Sequence, residues 1–219
     1  MNVLEIRKLT KKIGSAVILK NVRLIVEEKE NVLIKGRSGA GKTTLFNIIG
    51  CLEKPTHGCV SVLGRDISAL SSNEMSRLRL GEIGFIFQDF NLLPHLTAYE
   101  NIELVMELAG RTKTKSAITK LLRDVKLGRK KNMLPVHMSG GEIRRLTIAR
   151  ALANKPKLVL ADEPTSNLDE KNAKNIFRLL LSLNRKYGTS VIVVSHDPVA
   201  EKYFEKKYLL KNHALKRMK

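Results

Sequence analysis

Gly36-Arg37-Ser38-Gly39-Ala40-Gly41-Lys42-Thr43 is the stretch that decides the fold, because it fits G-x-x-x-x-G-K-[ST] without a gap. An apolar run, Asn31-Val-Leu-Ile-Lys35, precedes it, and Thr44-Leu-Phe-Asn-Ile-Ile49 follows. A buried strand, a glycine loop and a helix in that order are the context the motif requires. Glycines let backbone N–H groups turn inward around phosphate oxygens, and the helix N-terminus adds partial positive charge. Gly36, Arg37, Ser38, Gly39, Ala40, Gly41, Lys42, Thr43 and Thr44 are therefore the expected phosphate-contacting set. Lys42 is expected to reach the β- and γ-phosphates of a nucleotide, and the Thr43 hydroxyl to ligate Mg²⁺.

The chain around this loop has 219 residues, 43% of them apolar, enough for one large core or two intimate subdomains. No apolar run approaches the roughly 18 residues a membrane span needs. The start, Met1 to Lys8, lacks the layout of a secretory signal, so a protein that is cytosolic, or held at a membrane by something else, is expected. Cys51 and Cys59 have no Cys or His pair beside them, which argues against zinc and for two small buried thiols.

Net charge is +19, and it is clustered. Residues 111–131 carry nine Lys/Arg against Asp124 alone, and residues 201–219 carry seven against two acids. Such segments favour a polyanion, either nucleic acid or an anionic membrane face, or they are simply solvated faces. Residues 111–131 hold no aromatic for base stacking.

Short β-strands are expected at 3–6, 16–19 and 22–26, broken at Gly14. Ser71-Ser-Asn-Glu74 reads as a capping box opening a helix. Ile83 to Phe87 reads as a buried strand, and 97–127 as charged helix interrupted at Gly110. A further helix starts at Ser139 and runs to about Leu152. Two apolar strands follow, Leu158–Ala161 and Ser190–Val194, with a helix between them ending near Gly188. The alternation implies an α/β fold with a mainly parallel sheet, preceded by an antiparallel β subdomain. Residues 89–157 read as a helical insertion between two parts of a nucleotide-binding core, 1–88 and 158–219, within a single 1–219 domain.

The apolar strand ending in Asp162-Glu163 supplies two adjacent carboxylates. The first can hold Mg²⁺ through water, and the second can polarise a water for in-line attack on a γ-phosphate.

Asp162-Glu163-Pro164-Thr165-Ser166-Asn167-Leu168-Asp169, Ser139-Gly140-Gly141-Glu142 and Ser195-His196-Asp197, behind the phosphate loop, resemble the motifs of ABC-type ATPases. Asn47 to Pro55, Phe87 to Pro94 and Leu96 to Asn101 resemble one branch closely. That branch comprises the ATPase subunits of lipoprotein-release, macrolide-export, bacteriocin-export and cell-division systems. The resemblance implies a P-loop fold, ATP and Mg²⁺ as ligands, and catalysis by Glu163, His196, Gln88 and Lys42. Gln88 would ligate Mg²⁺ or the attacking water, beside Thr43 and Asp162. Ser139, Gly140 and Gly141 would form a second anion cradle that closes on ATP held by another subunit, with Asp169 at the seam. The implied partners are a second ATPase chain, identical or closely related, and integral membrane permease subunits. The implied place is the cytoplasmic face of the cell membrane.

Two departures from the family pattern carry expectations. Ile13, before Gly14, stands where many relatives place an aromatic against adenine, so ring stacking is lost. Glu142 stands where Gln is more usual, which weakens closure unless Arg144 or Arg145 neutralises it. The basic balance also admits a nucleic-acid- or ribosome-associated ATPase. Such relatives carry a long coiled coil or two ATPase units in one chain, and this chain has neither. A non-catalytic nucleotide-sensing scaffold is disfavoured by Lys42, Asp162, Glu163 and His196.

Overall fold

The computed structural model describes residues 1–111 and 115–218. Two long strands, β1 (Asn2–Ile13) and β2 (Ala16–Glu27), form an antiparallel hairpin. β4 (His57–Val62) and the short β5 (Arg65–Asp66) extend it, giving the order β2-β1-β4-β5. The sequence suggests shorter strands because polar residues interrupt the apolar pattern near Lys8 and Asn21. Both residues instead sit in register irregularities at positive φ, 52° and 51°, and the strands run on past them. Alternation in β4 buries Val60 and Val62 and leaves Cys59 on the solvent face. Only Cys51 of the two thiols is buried, which corrects the expectation for Cys59.

The second sheet has the order β10-β9-β3-β8-β7-β6. Its strands are β3 (Asn31–Lys35), β6 (Ile83–Ile86), β7 (Leu158–Asp162), β8 (Ser190–Val194), β9 (Lys206–Lys211) and β10 (Ala214–Arg217). Every pairing is parallel except β9 with β10. The central strands alternate between two cores. Val32, Ile34, Leu158, Leu160, Ile192 and Val194 face the β hairpin and helix α1 (Lys42–Ile49). Leu33, Val159, Ala161, Val191 and Val193 face the helices on the other side. Both faces are covered, so these strands read as unbroken apolar runs.

On that second side lie α3 (Ala98–Leu108), α4 (Lys115–Asp124), α5 (Gly140–Ala151) and α6 (Glu170–Tyr187). The helix α2 (Ser72–Glu82) leads directly into β6. Capping boxes open α2 at Ser71, α3 at Thr97 and α5 at Ser139, each with a Glu three residues on. Gly188 closes α6 in the left-handed conformation, φ 66°. The helical reading of 97–127 resolves into α3 and α4, and the part at 112–114 lies outside the described residues. Among the described residues no helix is long and apolar enough to cross a membrane.

Candidate active site

Parallel α/β sheets present their ligand-binding loops at the carboxyl ends of the strands. Here β3 ends in the phosphate loop, β7 in Asp162 and Glu163, β8 in Ser195 and His196, and β6 in Phe87 and Gln88. These four ends meet around a cavity of about 460 Å³. Lys42, Thr43, Gln88, Asp162, Glu163 and His196 line it, with Ser38, Gly39, Gly41 and Thr44 from the loop.

The loop's shape depends on two glycines at positive φ, Gly39 at 74° and Gly41 at 95°. A Cβ on Gly41 would press on Ile18 and Leu19 at 3.1–3.2 Å, so the loop lies directly against the β hairpin. The N-terminus of α1 has no side-chain cap and no acidic residue in its first turn. Its exposed N–H groups and dipole therefore suit an anion. Lys42 Nζ donates to the carbonyls of Gly36 and Arg37 at 3.0 and 3.1 Å and lies 3.8 Å from Glu163 Oε1.

Asp162 and Glu163 are both buried. Desolvation, then the charge of Glu163, pushes the Asp162 carboxyl from 3.8 up to about 6, against the pull of Lys42. Glu163 stands at φ 44°, a left-handed conformation that a bulky residue adopts at a cost. Its carboxylate accepts from Ser195 Oγ at 2.8 Å and from the His196 backbone N–H at 3.1 Å, and meets His196 Nδ1 at 2.7 Å. The neighbouring Thr165 hydroxyl donates to Asp197 Oδ2 at 2.7 Å, tying the loop after β7 to the loop after β8. His196, expected to face a γ-phosphate, turns Nδ1 to Glu163, which leaves Nε2 on the opposite edge of the ring.

ATP and Mg²⁺ fit these residues. The loop offers an uncapped helix end and a lysine, and its glycines clear the approach to the phosphates. Among the described residues no cluster of three or more His, Cys, Asp and Glu forms a metal cage. Mg²⁺ needs none, since it takes one or two carboxylates and completes its shell with substrate phosphates and water. Thr43, Gln88 and the Asp162 carboxylate are the donors at hand.

The remaining predicted residues lie elsewhere on the chain. Ser139 and Gly140 are exposed at the start of α5, and Gly141 lines a separate cavity with Arg145 and Asn172. Asp169 is exposed and caps α6, accepting from the Asn172 backbone N–H at 2.8 Å. Ile13 ends β1 with 56% of its surface exposed and is not part of the cavity lining, whereas Ile18 is.

The carboxylate of Glu142 is neutralised by Arg145, one of the two arginines the sequence suggests, and more closely by Lys130, which it does not. Lys130 Nζ sits 2.7 Å from Glu142 Oε1, Arg145 stands at 4.0 Å, and Arg144 points elsewhere. Arg144 is the site residue whose role the sequence does not reveal. It is 1% exposed, and its guanidinium donates to the carbonyls of Phe87 at 2.7 Å and Gln88 at 3.0 Å. It also lies over the Phe90 ring at 4.7 Å. Burial lowers its pKa to about 10, so it stays charged at neutral pH.

Fold and site together define a P-loop nucleoside triphosphatase, with a glycine loop, a lysine and a strand-end carboxylate pair in one cavity. A family model described as ABC transporter matches residues 19–166, and the chain belongs to that family as an ATP-binding cassette ATPase. It is 41% identical over 225 residues to the ABC transporter ATP-binding protein MJ0796 of Methanocaldococcus jannaschii, covering 98% of this chain and 96% of that one. It is 44% identical over 182 residues to the lipoprotein-releasing system ATP-binding protein LolD of Shewanella frigidimarina, covering 82% and 76%. The solved dimeric structure of MJ0796 in a post-hydrolysis state, bound to ADP and Pi, superposes with a TM-score of 0.88. Its identity is 40%, and the match covers 99% of this chain and 98% of that one.

Proposed function

We propose that this cassette binds and hydrolyses ATP between two copies of itself, or of a close relative, and drives separately encoded membrane subunits. The observation that carries the reading is the convergence of Lys42, Thr43, Gln88, Asp162, Glu163 and His196 on one cavity. Residues 1–88 and 158–219 act as the nucleotide-binding core and 89–157 as the helical arm.

Residues 36–44 grip the phosphates, with Lys42 giving up the Gly36 and Arg37 carbonyls to reach them. Thr43, Gln88 and Asp162 hold Mg²⁺, which when bound neutralises phosphate charge. Glu163 takes a proton from the attacking water, and His196 steadies the γ-phosphate through the ring edge turned away from Glu163. Ser139, Gly140 and Gly141 are not among the residues that line this cavity in their own chain. They complete the mate's site, using the open start of α5, and Asp169 sits at the seam. Ile13 gives apolar contact to the base. Closure on ATP and release after hydrolysis are the working stroke.

A second cavity of about 500 Å³ fits the permease contact. Phe85, Phe87, Leu80 and Val105 form its apolar floor, and Arg77, Arg79 and Arg150 stand among its lining. A short amphipathic helix with acidic groups matches that surface. The segment Phe90–Leu96 lies outside that lining, and Leu93 is 45% exposed. With such partners the protein works at the inner face of the membrane, where its basic charge suits anionic lipid.

Gentle purification from membranes, with identification of the bound protein, tests the reading. An integral membrane partner retained through washing is the expected result. Nucleic acid recovered in its place would contradict the reading and favour a nucleic-acid-associated ATPase.

A further inference from the structure

The peptide joining Phe87 to Gln88 separates the two cavities, since Phe87 lines the apolar groove and Gln88 lines the nucleotide cavity. Gln88 follows the last residue of β6, Ile86, by two positions, so no sheet ladder fixes it. A single buried side chain does. Arg144 Nη1 donates to Phe87 O at 2.7 Å and Nη2 to Gln88 O at 3.0 Å, so one planar fork spans both carbonyls. Nη2 also reaches Ser166 Oγ at 3.4 Å, in the loop after the Asp162-Glu163 pair. Arg150, two turns along α5, holds the next part of the same segment through Phe90 O at 3.1 Å and Asn91 O. The helix that begins at the Ser139 cradle thus grips the Gln88 segment from end to end.

We propose that Arg144 is a positioning residue for hydrolysis: it fixes the Gln88 backbone to α5 so that the Gln88 side chain stays in the cavity it shares with Asp162 and Glu163. The proposal rests on the reading of Gln88 as a ligand of Mg²⁺ or of the attacking water. A merely structural arginine could be exchanged for any side chain that preserves the packing. A positioning arginine cannot, because only the fork holds both carbonyls. Lysine keeps the charge and offers one ammonium on a single stem, so it fixes one carbonyl and leaves the peptide free to rotate.

The test is a double-mutant cycle on the full chain, reading kcat and KM for ATP together with the Mg²⁺ concentration for half-maximal binding of a non-hydrolysable ATP analogue. Arg144→Lys is expected to lower kcat by about tenfold and to raise the Mg²⁺ requirement. Its KM for ATP should change less than about twofold, because residues 36–44 are untouched. In a Gln88→Ala background the same substitution should change kcat by less than about twofold, since the group being positioned is gone. An equal fall in both backgrounds would overturn the proposal, and so would an unchanged Mg²⁺ requirement in Arg144→Lys. Should lysine destabilise the fold, Arg144→Gln serves in its place with the same expected coupling, because its amide still donates to one carbonyl. If Gln88→Ala alone turns over like the wild type, the failure lies in the reading of Gln88. An active-site role for Gln88 combined with additive effects places the failure in Arg144.

Discussion

His196 Nδ1 lies 2.7 Å from Glu163 Oε1, and the same carboxylate accepts the His196 backbone N–H and the Ser195 hydroxyl. The end of β8 therefore holds the proposed base from three directions. Its orientation is set before any substrate arrives, which removes part of the ordering cost of the reaction. Glu163→Gln preserves size and most of these contacts but removes the basic electron pair. Turnover should fall by roughly 10²–10⁴-fold while ATP binding survives. Steady-state hydrolysis beside a nucleotide titration checks this, and wild-type turnover would remove Glu163 from the role.

Lys42 behaves differently because it serves both the ground state and the transition state. Lys42→Ala removes the cation 3.8 Å from Glu163 and the donor to Gly36 and Arg37. ATP affinity should drop by roughly 10- to 150-fold, as expected when a charged hydrogen bond worth about 1.5–3 kcal/mol is lost. Retention of affinity within about threefold would show that the loop's backbone alone suffices.

Asp162 gives a pH test of stability. Its carboxyl titrates near 6 in the folded chain against 3.8 for an ordinary aspartate. The folded state thus holds the proton more tightly than the unfolded state between those values. The destabilising contribution is absent below about pH 4, grows as pH rises, and is complete above about pH 6. Asp162→Asn should therefore raise the Tm of the nucleotide-free protein at pH 7–8 and leave it unchanged near pH 4. Thermal melts across that range check it, and a Tm difference independent of pH would contradict it.

Ile13 stands in the open at the end of β1, with room for a ring. Ile13→Tyr should tighten ATP about tenfold, within the range that base–aromatic stacking supplies, and should discriminate ATP more sharply from a triphosphate lacking a base. Competition titrations with ATP and inorganic triphosphate measure both effects. Equal affinities in the two proteins would place the base elsewhere.

How far the sequence reaches depends on whether the information is local. The phosphate loop, β3, β8, the capping box at Ser71 and the helix start at Ser139 are set by residues within a turn or two of each other, and the structure has them where the sequence puts them. The first strands were harder, because β1 and β2 pass through bulges at Lys8 and Asn21 that break the alternation. The role of Arg144 was out of reach, since its partners at Phe87 and Gln88 are 57 and 56 residues away. The Lys130–Glu142 pair likewise forms only when the segment after α4 folds back on α5. One signal was present: a second arginine, beside Arg145, in the first turns of a helix that buries its next residues.

The central claim is that ATP is held between two chains, one giving the phosphate loop and the other the Ser139 turn. Sedimentation of Glu163→Gln with saturating ATP and Mg²⁺ tests it most directly. The account predicts a particle of twice the monomer mass that reverts to monomer when ATP is replaced by ADP. A protein that binds ATP at full occupancy and still sediments as a monomer would contradict it.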